Sequence, residues 1–574
     1  MKKKLTIGIF IIFILAFAGC MQPNKTSVND EEIKKAWTVL VYMNGSNLEM
    51  TSAAATNDLR EMLYGGSADN VNVVVETGGS KYWHNYYVDE DKSQRWYVKK
   101  FGMDEVYSQD LQNMARADTL SEFLIWGIEN YPAEKYAVIL WNHGGGAIAG
   151  FGLDENTPGD TLILKELKDA FEMTANQTNQ TIDLVAFDAC LMSNIETAYI
   201  LSPYCKYMAA SEGLLSEMGY AYDVFIKNMK QNPNKDGDYF GKILIDSYIS
   251  QANKANAVES ALCVLDLSYV TDVVNEFDKS IGSVDVSTHF DDFINAAYES
   301  GAAGRLVSSA EQANMVDIKE FIKNTTNSDL SAQLNKLIVY KAETANNKEE
   351  LSGVSLYFPY SNIQNAALEF KIYDLIGFSE EYSKLLKEYI DLLYKNVSVT
   401  SRDTEINKSN ITNIKSLLAG SCLIGSEIGG QMCIHYVCEN AAYDQNTAEN
   451  NMQMYLVDSV PITVYKKTDS DALLYTTAII DGQYCELTLE KSNGILKIKE
   501  AIAIEKNKNK SIVPLKTFTP ENNDSIRFVT LVYENGKIVE KESDEIKDKA
   551  DIKITKKQIG QNEIKIFLKG LELK

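Results

Sequence analysis

Apolar residues follow two rhythms along this chain, and the change falls near residue 400. Over residues 37–43, 71–76, 136–141, 182–187, 207–211 and 354–358 they run almost unbroken, which predicts strands buried on both faces. Between them, residues 117–130, 164–176, 194–201, 239–251, 270–281 and 378–393 carry apolar positions at helical spacing. Strands alternating with helices predict an α/β unit over residues 37–398, a mostly parallel sheet flanked by helices. Residues 401–413 are rich in Ser, Thr and Asn, so 399–420 read as a linker. Beyond it the period shortens. Residues 454–457, 462–465, 495–498, 526–533 and 564–568 read as strands broken by Asn, Gly and Asp turns, predicting a C-terminal all-β module over 421–574. No repeat of solenoid or propeller period runs through the chain.

Length and composition agree with several folded units. The chain has 574 residues, 45% hydrophobic and 24% charged, enough for roughly two to four globular domains. Its net charge of −24 makes nucleic acid a poor partner, and an acidic surface serves solubility or concentrates basic ligands.

The N-terminus reads as an export leader, with Lys2, Lys3 and Lys4 before an apolar stretch over residues 5–17. Phe17-Ala18-Gly19-Cys20 resembles a bacterial lipobox, with Phe17 where Leu is usual. That resemblance makes residues 1–20 a signal ending at a lipidated Cys20, and 21–36 a polar tether. Localisation at the cell surface, anchored in the membrane only through lipid, is the expectation. Ala16-Phe17-Ala18 also fits an A-x-A cleavage site, which would give a secreted protein. The apolar run is shorter than the roughly 20 residues that cross a bilayer. Eight cysteines in this length are too sparse for a disulfide scaffold, which leaves most of them free and one or two bridges open in the last third.

Two strand ends carry chemistry. The run Ala137-Val138-Ile139-Leu140-Trp141-Asn142 delivers His143, followed by Gly144-Gly145-Gly146, to the rim where open α/β sheets place their sites. Glycines there let backbone N–H groups approach an anion, and the imidazole can serve as acid or base. The run 183–187 ends in Asp188-Ala189-Cys190, and a helix opening at Cys190 would favour its thiolate. Taken singly, His143 reads as structural and Cys190 as an inert buried thiol. Together they sit 47 residues apart, histidine first, which is the order of caspase-type peptidases rather than papain.

The chain resembles the clostripain family of cysteine peptidases, in the clan of caspases, gingipains and legumains. The resemblance rests on residues 37–43 with Asn47-Leu48-Glu49, Trp141-Asn142-His143-Gly144-Gly145-Gly146, Phe187-Asp188-Ala189-Cys190-Leu191-Met192, Ala210-Ser211-Glu212, and Ser355-Leu356-Tyr357-Phe358-Pro359. It implies a caspase-like fold and a cysteine endopeptidase in which His143 and Cys190 form the catalytic dyad. The backbone N–H groups of Gly144 and Cys190 are the expected oxyanion donors. Asp188 and Glu212 are the expected substrate-binding carboxylates, receiving Arg or Lys before the scissile bond. Asp188 reads equally as a turn or capping carboxylate. The chain departs from the family after Glu212, where Gly213-Leu214-Leu215-Ser216-Glu217-Met218-Gly219-Tyr220 replaces an acidic, Pro-Gly-Trp type loop. Near Met43 it carries Asn44-Gly45-Ser46-Asn47 in place of an Asp-rich segment.

Protein or peptide substrates are the expected partners, and the chemistry requires no metal or other cofactor. Relatives show calcium dependence and self-cleavage between the catalytic strands, for which Lys165 and Lys168 are the candidate points. A metal-binding alternative rests on Cys433, His435 and Cys438, which a strand over 431–437 makes a structural or disulfide feature instead. The alternative function is a non-catalytic surface lipoprotein whose peptidase-like domain only binds.

Overall fold

The computed structural model describes residues 34–255, 260–300, 313–345, 351–361, 363–400 and 402–406, and most of 422–573 as separate stretches. The leader, Cys20 and the tether up to residue 33 lie outside the described residues, as does Cys438. Residues 35–574 pack as one unit, distinct from residues 1–34.

Among the described residues thirteen strands precede the C-terminal region. They are β1 (Lys35–Asn44), β2 (Val71–Gly78), β3 (Lys92–Lys99), β4 (Gly102–Asp110), β5 (Ala133–Trp141), β6 (Phe151–Asp154) and β7 (Asp160–Leu162), then β8 (Ile182–Asp188), β9 (Cys205–Ser211), β10 (Ala261–Asp266), β11 (Met315–Asp317), β12 (Ile338–Glu343) and β13 (Ser355–Tyr357). Nine of them form one sheet in the order β12-β10-β9-β8-β5-β1-β2-β3-β4. Its centre, β9-β8-β5-β1-β2, is parallel, as the unbroken apolar runs require, and antiparallel strands extend both edges. Strands β2 and β8 are buried at every position, so both sheet faces are covered.

The covering helices follow from the direction of travel. The chain steps from β1 to β2 one way and from β5 through β8 to β9 the other. Right-handed crossovers therefore put α2 (Ala54–Gly65) on the face opposite α3 (Ala117–Asn130), α5 (Leu164–Thr178) and α6 (Ile195–Leu201). Two short helices follow strand ends, α1 (Ser46–Ser52) after β1 and α4 (Gly146–Ala149) after β5. Helix α7 (Tyr222–Gln231) packs with α2 and with α8 (Gly237–Ala255).

Residues 354–358, expected in the main sheet, instead supply β13, which pairs with β11 in a two-stranded sheet and bridges through Ser355 to Asn194. The physical reason is local: the Ser355 N–H donates to Ser193 O at 2.9 Å, tying β13 beside the loop that follows β8.

The C-terminal region is antiparallel β-sheet, as the alternating pattern predicts. The hairpin Leu473–Ile480 with Gln483–Ser492 continues into Ile495–Lys506 and Ile512–Phe518. Its apolar core includes Leu474, Leu487, Leu489, Leu515 and Phe528, and extends onto Ala149 and Leu153 beside the end of β5. The linker is pinned at its start, where Val397–Val399 pairs with Leu571–Leu573.

Candidate active site

Strands β5 and β8 are neighbours, and Trp141 stands opposite Asp188 in their parallel register. Two residues beyond each lie His143 and Cys190, so the two chains leave the sheet level with each other at its carboxyl edge. Asn142 fixes the first exit. Its Oδ1 accepts the N–H groups of His143 and of Leu153, the latter at 2.9 Å, and its Nδ2 donates to Leu153 O at 3.2 Å.

His143 is fully buried, and its Nε2 lies 2.9 Å from Oδ1 of Asn47 in α1. Gly144 then passes so close to the neighbouring exit that an added Cβ would meet Cys190 O at 2.0 Å and Met192 Cγ at 3.0 Å. Only glycine fits there. The strand-like bridge of Gly144 to Phe151 is made by bonds from Gly152 N to His143 O and from Gly145 N to Gly150 O. The N–H of Gly144 itself takes no part in them.

Cys190 does not open a helix. It lies in a turn, Leu191 adopts φ 60°, and α6 begins only at Ile195 behind its cap Asn194. Asn194 closes that turn, donating from Nδ2 to Leu191 O at 2.9 Å and accepting Thr197 N at 2.7 Å. The hydrogen bond to sulfur comes from another source, the N–H of Leu215 at 3.2 Å from Sγ. A donor aimed at sulfur favours the thiolate as a helix terminus would. The Leu215 carbonyl lies 3.8 Å from the same sulfur, and Cys190 is fully buried beneath this loop.

Asp188 is buried on the flank of this site. Its Oδ2 accepts the Tyr220 N–H and the Tyr222 hydroxyl, each at 3.0 Å. Gly219, at φ 59°, holds the adjoining loop so near that a Cβ would lie 2.7 Å from Asp188 Oδ2 and 2.9 Å from Asp58 Oδ2. Asp58, from α2, accepts Trp141 Nε1 at 2.6 Å. Beside them Glu61 accepts Tyr222 N at 2.9 Å. Burial, with repulsion from Asp223 and Asp188, pushes its carboxyl up to about 7 against the pull of that N–H.

Glu212 sits elsewhere. Its Oε2 accepts Gly353 N at 2.7 Å, and burial together with the neighbouring Asp317 raises its carboxyl well above the usual range. The structure thus brings Asp188 beside the loops of His143 and Cys190 and gives Glu212 to the packing of residue 353. Lys165 and Lys168 both stand inside α5, with Lys165 paired to Asp169, so cleavage at either requires the helix to unwind locally. The turn of that segment, residues 155–160, exposed only at Thr157 and Pro158, holds no Lys or Arg.

A crevice of about 750 Å³ opens on His143. Asn47, Met50 and Glu217 line one side, and residues of the C-terminal sheet line the other. No metal cluster of three or more His, Cys, Asp or Glu side chains occurs among the described residues. His435 instead bonds Ser426 through Nε2 at 2.8 Å. Cys205, Cys263, Cys433 and Cys485 are unbridged thiols, buried like Cys190. Among the described residues no helix is long and apolar enough to cross a membrane.

Sequence reasoning names His143, Gly144, Asp188, Cys190 and Glu212; it misses Asp58 and Tyr222, and Leu215 and Tyr220 enter it only within the segment that departs from the family. Asn47 was visible inside a motif but without a task. Helix periodicity gives no signal for Asp58.

The peptidase C11 profile, described as the clostripain family, matches residues 41–569 and so runs on through the C-terminal sheet. Clostripain of Hathewaya histolytica is 23% identical over 415 residues, covering 58% of this chain and 76% of its own. A secreted C11 cysteine protease from Bacteroides thetaiotaomicron, solved with an irreversible peptide inhibitor, aligns at TM-score 0.48 and 19% identity. That alignment covers 61% of this chain and 98% of the other. An inactive zymogen C11 protease from Parabacteroides distasonis aligns at TM-score 0.45 and 17% identity, covering 62% and 96%. The chain belongs to the clostripain family of cysteine peptidases.

Proposed function

We propose that this cysteine peptidase is an exported endopeptidase that cleaves after Arg or Lys through His143 and Cys190. The observation that carries the reading is the level exit of the two residues from paired strands β5 and β8, one held by Asn47 and the other bonded by Leu215.

With Nε2 protonated, His143 donates a hydrogen bond to Asn47 Oδ1, which leaves Nδ1 to exchange the thiol proton. Cys190 Sγ then attacks the scissile carbonyl carbon, and the carbonyl oxygen takes the charge. The N–H groups of Gly144 and Cys190 stabilise that oxyanion. The imidazolium protonates the leaving amine, giving a thioester, and afterwards draws a proton from the water that releases the acid. Substrate entry requires the Leu215 loop to lift from Sγ, since Cys190 is covered in the resting chain.

Asp188, with Asp58 behind Gly219, supports the preference for a cationic side chain. The buried Tyr222 hydroxyl and Tyr220 N–H already orient Asp188, so an entering guanidinium would meet a fixed carboxylate. Export rests on the leader, and labelling with radioactive palmitate that disappears in Cys20→Ala would establish the lipid anchor.

The test is hydrolysis of fluorogenic peptides ending in Arg, Lys, Asp, Asn or Leu, with and without calcium, beside Cys190→Ala. Cleavage after Arg or Lys that vanishes in the variant is expected. Activity confined to other residues would discard the Asp188 pocket, and activity surviving in the variant would discard the dyad.

A further inference from the structure

The C-terminal sheet is built into the catalytic crevice. Ser216, next to the residue that bonds Cys190, forms a parallel bridge with Thr517 at the end of strand Ile512–Phe518. On the other side Ala149 and Leu153, which follow the His143 exit, pack into the apolar core of the sheet. The sheet therefore grips the loops after both catalytic residues. Between these grips lies the crevice that reaches His143, and its far wall is Asp481, Tyr484, Glu505, Leu515, Phe518 and Asp524. Its volume of about 750 Å³ suits a sizeable ligand rather than one side chain.

Charge gives the ligand's sign. Glu155 and Glu217 line the near wall, Asp481, Glu505 and Asp524 the far one, and among the described residues no Lys or Arg lines the crevice. Some of these carboxylates have partners. Glu155 accepts Lys81 N at 3.0 Å, and Asp481 accepts Ser525 N at 2.8 Å. Glu155 and Glu505 face each other from opposite walls closely enough that, after burial, Glu155 is the next cause raising the Glu505 carboxyl, with Lys81 opposing. A cation placed between the walls relieves that repulsion.

We infer that the C-terminal sheet is the second wall of the substrate cleft and selects polypeptides carrying further basic residues around the one that is cleaved. This deepens the peptidase reading above and rests on it. The peptide lies across His143, with its flanking Lys or Arg side chains between the Glu155 and Glu217 side and the Glu505 and Asp524 side.

The experiment uses the full exported chain and the double variant Glu505→Lys with Asp524→Lys. Two substrates are compared, a single-arginine fluorogenic amide and a longer peptide with lysines on both sides of the same arginine. The expected result is that the ratio of kcat/KM, long over short, falls about tenfold. Replacing the flanking lysines by glutamates should reverse the sign of the change. A ratio that stays constant overturns the inference, whether both activities fall, rise or hold. Anisotropy of the labelled lysine-rich peptide on Cys190→Ala, with and without the two reversals, separates the readings. Weaker binding with the reversals but no hydrolysis by the native chain would sink the peptidase mechanism and leave the wall standing. Unchanged binding would sink the wall alone.

Discussion

Replacing Asn47 by alanine probes the proposed role of His143 without touching the thiol. Asn47 Oδ1 lies 2.9 Å from His143 Nε2, and His143 is fully buried while Asn47 is 8% exposed, so water does not readily replace the lost acceptor. An orphaned buried N–H costs about 1–3 kcal/mol. If that loss falls on the transition state, in which the imidazole must be held and charged, kcat drops about 5- to 150-fold. KM should hardly move, because Asn47 orients the histidine. Asn47→Asp keeps an acceptor at the same place and adds a charge that favours imidazolium, so it should recover much of kcat. It should also move the pH limb governed by His143 to higher pH. Steady-state kinetics across pH on a fluorogenic arginine amide reads all three quantities. Wild-type kcat in Asn47→Ala would refute the argument, as would a loss confined to KM with an unmoved pH profile.

Gly144→Ala should lower kcat about 100-fold or more, since its methyl would stand 2.0 Å from Cys190 O and displace an oxyanion donor. Kinetics normalised by titration of the reactive thiol would detect it, and wild-type turnover would remove Gly144 from the site. Gly219→Ala combines a strained φ of 59° with a methyl 2.7 Å from Asp188 Oδ2. Cleavage after Arg and Lys should fall about tenfold, and equal loss on a non-basic substrate would deny Asp188 its pocket role. Glu196 is buried, accepts Tyr357 N at 2.9 Å and Tyr373 Oη at 3.2 Å, and is raised to about 7 chiefly by burial. Between an unfolded value of 4.5 and 7 the folded chain holds a proton that the unfolded chain has lost, so stability falls as pH rises through that window. Glu61 and Glu76, both raised to about 7, add to the slope. Glu196→Gln should flatten the melting temperature against pH over that range, and an unchanged slope would remove Glu196 as a source.

The parallel centre of the sheet was legible because β1, β2, β5 and β8 are buried almost throughout and so are largely apolar, with Asn72, Glu76, Asp183 and Asp188 among the buried exceptions. Helices 117–130 and 270–281 fall where their periodicity put them. The antiparallel edges were not legible. Strand β4 is largely exposed, reads GMDEVYSQD, and exists because β3 offers it a ladder. The helix expected at Cys190 failed for a similar reason. Leu191 at φ 60° halts the chain before α6, and a leucine in that conformation has no signature in sequence.

The same division runs through the site. The proposed nucleophile, base and oxyanion donor stand at two strand ends, and a strand end is local, so sequence names His143, Gly144 and Cys190 directly. What surrounds them is assembled from afar. Asp58 reaches Trp141 across 83 residues, Tyr222 reaches Asp188 across 34, and Ser216 bridges to Thr517 from another sheet. Chemistry at a strand end can persist while such contacts change, because the Asn142 bonds to Leu153 and the Leu215 bond to Cys190 are made without the side chains of Asp58, Glu217 or Glu505. It follows that cleavage preference in this chain should respond to substitutions in the C-terminal sheet that leave the order of bond making and breaking untouched.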